Sequence, residues 1–341
     1  MIFPRWAMVV LVLGILSAGS LGAEPTRHEF ESKHMGVTFR IVLYANDREA
    51  AEKASKSAFD RVAELDQTFS DYKQDSDLMK LCKANDAEPG KGFKVSEDFL
   101  KVLMAAEKLS KQSDGAFDIT VGPVVQLWRL ARRTQQLPDT KELGEAMAKV
   151  GYEKISIHPS TSEVKLKLPG MRLDFGGIAK GYAADEALLV LSSKFNIKRA
   201  LVAASGDITC GDPPPGKEGW SVDIAPIAKG QPVRNLTLSN AAVSTSGDLE
   251  QFVEIQGVRY SHIVNPKTGL GLTGRRSVTV IAKRGIDADS LTKAASILPT
   301  DKALTLIDSI EGAATHIVVK ENDEKPMVIT ESKRFEQYLA K

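Results

Sequence analysis

Four stretches of the sequence concentrate Gly, Asp, Ser, Thr and His, the residue types that approach ligands closely, move protons or hold cations. They are Ser113–Pro123, Leu173–Asp185, Ser244–Asp248 with its continuation Ser261–Gly269, and Asp287–Ala294. In the second, Gly176 and Gly177 stand at a helix entrance. Backbone without side chains lets a ligand come close, and the free N–H groups of a helix start favour an anion such as a phosphate. Lys180 adds a positive charge in the first turn, and Asp174 is placed to accept a hydrogen bond from a base or ribose. The plainer alternative is a tight strand-to-helix turn with a solvated lysine, and this stretch alone favours it. The spacing is neither that of a P-loop nor that of the dinucleotide fingerprint.

The third stretch carries His262, one of five histidines, ahead of the turn sequence Asn265-Pro266-Lys267-Thr268-Gly269. A histidine fixed at the edge of a rigid turn suits proton transfer or ligand contact, although a lone histidine is more often structural. The fourth stretch sets Asp287 and Asp289 at an expected helix start. N-capping by either carboxylate explains them. Holding a hard cation with carboxylate and carbonyl oxygens is the functional alternative.

These stretches sit among interspersed strands and helices. Gly36–Tyr44 is β-branched and aromatic, which predicts a strand. From Asp47 to Phe69, Ala51, Ala54, Ala58, Val62, Leu65 and Phe69 recur at helical spacing. Ser96 should cap a second helix, and a third should run from Asp139 to Val150 and stop at Gly151. Helices are expected over 177–191, 289–298 and 302–310, with a short one from Ser332. Strands are expected over 154–157, 164–168, 200–204, 220–224, 236–238, 252–255, 278–282, 316–319 and 327–329. The three prolines at 213–215 mark a loop. The mixture predicts an α+β protein, with mixed sheets and surrounding helices and no βαβ series.

Residues 1–23 should lie outside the fold. Arg5 precedes the apolar run from Trp6 to Leu16, and small residues follow up to Ala23. That is the pattern of a secretory signal peptide, and the run is short of the about 20 residues that a spanning helix needs. Residues 24–341 are then the folded domain. Loss of Arg5 leaves Lys+Arg and Asp+Glu equal in number. This balance argues against nucleic acid as a partner. Two cysteines and five histidines argue against a zinc centre. Export permits a disulfide between Cys82 and Cys210, and free buried thiols are equally consistent.

Together the stretches resemble the FAD:protein FMN transferase (ApbE) family over roughly Met35–Leu298. The resemblance is carried by Met35-Gly36, Phe69-Ser70-Asp71-Tyr72 with Asp75-Ser76, and Gly115-Ala116-Phe117-Asp118 with Gly122-Pro123 and Trp128. It continues in Asp174-Phe175-Gly176-Gly177-Ile178-Ala179-Lys180-Gly181-Tyr182, Thr245-Ser246-Gly247-Asp248, His262–Gly269 and Ala288-Asp289. It implies an ApbE-like, T-fold-related architecture and transfer of the FMN half of FAD to a Thr or Ser hydroxyl of a target redox protein. A phosphoester forms and AMP leaves. It further implies that Met35, Tyr72, Ala116, Phe117, Asp118, Asp174, Lys180 and His262 line the FAD site. His262 and Asp289 would act at the reacting centre. Mg²⁺ would be held by Asp289 and the Gly177 carbonyl. The expected setting is the periplasm, including association with the outer face of the inner membrane, and the expected partners are flavoprotein subunits carrying an acceptor Thr or Ser, those of membrane-associated redox complexes among them.

Three positions depart from the family pattern. Lys293 stands where the family usually has a metal-ligating Thr, with Thr292 one place earlier. An ammonium cannot ligate Mg²⁺. Either the site uses Thr292, or the ammonium replaces the cation, or catalysis is lost while FAD binding survives. Asn265 stands where Asp is more frequent, and Ser205-Gly206-Asp207 replaces a Gly-Gly-acid sequence. An FAD pyrophosphatase and a non-catalytic FAD-binding protein are the alternatives to a transferase.

Overall fold

A computed structural model describes residues 24–226, 233–247, 252–320 and 325–340. Residues 1–23, expected to be a signal peptide, and Asp248 lie outside the described residues.

The chain opens with a hairpin, β1 (Thr26–His34) and β2 (Val37–Ala45), joined by the two-residue turn Met35-Gly36. Both turn residues have positive φ, 50° and 75°, as a two-residue turn matching strand twist requires. Met35 thus closes a hairpin instead of opening the first strand, and β1 is an element that the hydrophobic pattern did not reveal. Its Arg27, Glu29, Glu31 and Lys33 point to solvent, which keeps this edge strand from pairing with other chains.

Helices α1 (Arg48–Phe69), α2 (Asp77–Ala87) and α3 (Glu97–Gln112) follow, with β3 (Phe93–Lys94) before α3. Asp47, Ser76 and Ser96 cap them through side-chain oxygens that accept from the backbone N–H of Ala50, Met79 and Phe99. Next come α4 (Gly122–Thr134), α5 (Thr140–Met147), β4 (Ile155–His158), β5 (Glu163–Leu166) and α6 (Ala179–Phe195). α4 starts on Gly122-Pro123, where proline is compatible with a first helical turn. α5 ends at Met147, short of Gly151.

The second half holds β6 (Ala200–Ala204), β7 (Asp207–Cys210), β8 (Trp220–Ile224), β9 (Arg234–Leu238), β10 (Ala241–Gly247), β11 (Phe252–Ile255), β12 (Val258–Val264), β13 (Gly271–Thr273) and β14 (Arg275–Ala282). It ends with α7 (Gly285–Ile297), α8 (Thr300–Asp308), β15 (Ala314–Lys320), β16 (Val328–Glu331) and a 3-10 turn, Phe335–Tyr338.

Among the described residues, eight strands form one antiparallel sheet in the order β1-β2-β6-β7-β10-β14-β15-β16. Both faces are covered. Phe39, Ile41 and Leu43 of β2 join α1, α3, α6 and α7 in the main core, while Val42 turns to the other side with Trp220, Leu236 and Phe335. β6 is buried along its whole length, which explains its unbroken Ala-Leu-Val-Ala-Ala sequence. A third cluster joins Val124 and Trp128 of α4 to Ala146 of α5 and to Val253, Ile255 and Val264 of β11 and β12. The α+β expectation holds. Cys82 and Cys210 are both free and buried, which settles their status against a disulfide.

Candidate functional site

The site is built where α6 crosses α7. Gly181 and Gly285 make the crossing close: a Cβ on Gly181 would lie 2.1 Å from the Gly285 carbonyl oxygen, and one on Gly285 would lie 2.5 Å from the Gly181 oxygen. No other residue fits either position without separating the helices. Asp185, one turn further along α6, accepts from the backbone N–H of Gly285 at 2.7 Å and of Ile286 at 3.0 Å. This remote cap starts α7 at Gly285. Asp289 is therefore inside the helix and not its N-cap, and Asp287 pairs with Arg284.

Two lysines converge on the crossing. Lys180 Nζ donates to the Gly176 carbonyl at 3.0 Å and lies 3.0 Å from Asp207 Oδ2 and 3.6 Å from Asp289 Oδ2. It is not a solvated side chain. Burial alone would lower its pKa, but the two carboxylates outweigh that and raise it. Asp289 is fully buried, and its Oδ2 also accepts the Gly181 N–H at 3.2 Å. Burial pushes its carboxyl up, yet the charges of Lys180 and Lys293 hold it below the ordinary value.

Lys293 approaches from the other side. Its ammonium donates to Asp289 Oδ1 at 3.0 Å, to Thr292 Oγ1 at 3.0 Å and to Ser246 Oγ. Its stem crosses Gly177, where a Cβ would sit 2.8 Å from Lys293 Cγ. Ser246 and Thr292 are themselves hydrogen-bonded at 2.9 Å. Asp207, at the start of β7, accepts from Ser244. Gly177, Lys180, Asp289 and Thr292 thus meet as one cluster. Asp207 and Ser246 belong to it although sequence reasoning gave them no role; the signal was their place in the Ser205–Asp207 and Thr245–Asp248 motifs.

Magnesium does not fit this cluster as it stands. It needs near-octahedral oxygens at about 2.0–2.1 Å. The Asp289, Thr292 and Ser246 oxygens instead surround an ammonium at hydrogen-bond distance. Among the described residues, no group of three or more His, Cys, Asp or Glu is placed to hold a metal.

A second cluster is organised by Arg129 on α4. Its guanidinium lies 2.5 Å from Asp71, 3.4 Å from Asp174 Oδ2 and 4.5 Å from the centre of the Tyr72 ring. Tyr72 is 74% exposed, so its ring remains open for stacking. Asp174 turns Oδ1 back to the Gly176 N–H at 2.7 Å. Burial, then the nearby Asp71 charge, raise its pKa. Sequence reasoning missed Arg129, because its partners are distant in the chain.

The first stretch supports the others. Asp118 is buried; it accepts from Thr120 N and Oγ1 and from Tyr152 N. Burial raises its pKa despite these bonds. Ala116 and Phe117 are buried beside it. The Ile119 carbonyl accepts from Asp174 N at 2.7 Å, tying this stretch to the second. The loop after His262 is docked by Trp128 Nε1, which donates to the Gly269 carbonyl at 2.7 Å, and by Lys267, which pairs with Asp114. Asn265 caps that turn by accepting from Lys267 N. His262 itself is half-buried on β12, and Met35 lies in the hairpin turn, packed against the main core.

The ApbE family model matches residues 35–317. The chain belongs to the ApbE family. It is 30% identical over 304 residues to the FAD:protein FMN transferase of Escherichia coli K12, covering 86% of this chain and 84% of that protein. It is 28% identical over 323 residues to the Haemophilus influenzae FAD:protein FMN transferase, with 92% of each covered. The structure of the flavin transferase ApbE from Vibrio cholerae superposes with a TM-score of 0.81 at 25% identity, over 92% of this chain and all of that one. The Thermotoga maritima ApbE protein gives a TM-score of 0.82 at 28% identity, over 93% and 100%. This ApbE-family chain therefore has the α+β fold of those structures, with the lysine-rich α6–α7 crossing inside the matched region.

Proposed function

We propose that the protein transfers the FMN half of FAD to a Thr or Ser hydroxyl of a target redox protein. The observation that carries this reading is the convergence of Lys180, Lys293, Asp207 and Asp289 at the head of α6, in a chain of the ApbE family. Lys180 and the start of α6 offer positive potential to the diphosphate of FAD. The exposed Tyr72 ring, held by Arg129, offers a stacking face to one of its ring systems. Met35, Ala116, Phe117, Asp118 and Asp174 complete the lining in this reading.

In the reaction, the acceptor hydroxyl oxygen attacks the phosphorus of the FMN half. A new P–O ester bond forms, the bond to the bridging oxygen breaks, and AMP leaves with that oxygen. The hydroxyl proton needs a base, and His262 is the candidate. Positive side chains at the diphosphate stabilise the charge that develops on the phosphoryl oxygens. The leader over residues 1–23 supports a periplasmic setting with exported or membrane-associated redox proteins as acceptors.

Incubation with FAD and an acceptor domain should give in-gel flavin fluorescence on the acceptor and release AMP. Release of FMN and AMP without labelling would show a pyrophosphatase. Tight FAD binding with neither product would show a binding protein.

A further inference from the structure

We propose that the Lys293 ammonium takes the place of a divalent cation in this protein, so that the diphosphate of a dinucleotide is bound without metal. An ammonium carries three donors. All three have an oxygen within reach: Asp289 Oδ1, Thr292 Oγ1 and Ser246 Oγ. One carboxylate and two hydroxyls form a set that a hard cation would otherwise take. The position is built for the lysine from both ends. The bare backbone of Gly177 accepts the stem, since any Cβ there would overlap Lys293 Cγ at 2.8 Å. The head lies beside Asp289, whose other oxygen faces Lys180.

The two sources of charge exclude each other. A magnesium ion sharing these oxygens would lie within a few ångströms of a fixed positive charge in a buried setting, where repulsion is strong. The lysines also balance the local carboxylates. Lys180 and Lys293 stand against Asp207 and Asp289, so the four side chains are neutral without any ion. Replacing Lys293 by the shorter, neutral Thr removes the ammonium and adds a third hydroxyl to the oxygens of Asp289, Ser246 and Thr292.

The test compares the purified wild-type chain with Lys293→Thr by two readouts that need no turnover. The first is Mn²⁺ binding without flavin, followed by electron paramagnetic resonance. The second is FAD affinity, followed by flavin fluorescence anisotropy in EDTA or in millimolar Mg²⁺. The wild type should take up no stoichiometric Mn²⁺ and bind FAD equally well with or without Mg²⁺. Lys293→Thr should bind one Mn²⁺, and its FAD affinity should rise by about tenfold or more when Mg²⁺ is added. One Mn²⁺ per wild-type chain, lost in Asp289→Asn, would overturn the proposal, as would tenfold weaker FAD binding by the wild type in EDTA. Only the FAD readout rests on the functional reading above. Failure of every variant to bind FAD would count against that reading, while the Mn²⁺ result would still decide the role of Lys293.

Discussion

The Asp185 carboxylate accepts the backbone N–H of Gly285 at 2.7 Å and so fixes where α7 begins. Through that bond a residue of α6 sets where α7 starts, and along α7 Asp289 faces Lys180 while Thr292 and Lys293 meet Ser246. The helix has no side-chain cap of its own. Its orphan N–H groups depend on a carboxylate a hundred positions earlier in the chain.

Asp185→Ala should cost roughly 1–3 kcal/mol, because buried N–H groups lose their acceptor. Burial, outweighing the hydrogen bonds from Ile286, Gly285 and Thr209, raises the Asp185 pKa to about 6. The folded state then holds this proton more tightly than the unfolded chain. The stabilising contribution is full below the ordinary carboxylate range and is lost as pH rises to about 6. Urea unfolding across that window should show the decline in the wild type and lose that part of it in Asp185→Asn. Equal slopes would place the titration elsewhere.

Lys180→Met should destabilise the fold and weaken FAD binding together. It leaves Asp207 and Asp289 buried without their shared cation, a change of roughly 3–5 kcal/mol for a buried pair that loses one partner. Denaturant midpoints and flavin anisotropy check the two effects. A stable variant with unchanged FAD affinity would remove Lys180 from the site.

Arg129→Ala should weaken FAD binding by about tenfold. Tyr72 loses the guanidinium beside its ring, and Asp71 and Asp174 lose their common partner. Arg129→Lys should restore little, since an ammonium cannot reach both carboxylates with a planar fork. Full recovery in the lysine variant would mean that charge alone matters.

Neither cysteine should react with a thiol reagent in the native protein. Both are buried; desolvation pushes Cys210 up to about 12 and also raises Cys82. Ellman's reagent should titrate both only after unfolding, without prior reduction. Rapid native reaction would contradict their burial.

Local signals made part of this fold legible. Asp47 and Ser96 cap α1 and α3 where the sequence pattern places them, and the apolar spacing of α1 matches its buried face. Other elements were hidden by composition. β1 is an edge strand whose charges mask its alternation, and β10 carries Ser and Thr on both of its covered faces, Ser244 and Ser246 bonding Asp207 and Thr292 on one side and Thr245 bonding Thr279 on the other. α4 begins inside a Gly-Pro motif that draws attention to ligand contact. The site was legible as motifs but not as geometry. Asp289 reads as a helix start until Asp185 is seen to cap α7. Arg129 is invisible because its pairs with Asp71 and Asp174 join positions far apart in sequence. The Lys293 departure was legible as a residue type, while the oxygens that receive its ammonium required the fold.

Flavin transfer is tested most directly by mass spectrometry of an acceptor domain incubated with this protein and FAD, beside the same domain with its acceptor Thr replaced by Ala. The expected result is one FMN joined by a phosphoester to the acceptor hydroxyl, with an equal amount of AMP released and no adduct on the Ala version. An unmodified acceptor, with FMN and AMP free in solution or FAD left intact, would contradict it.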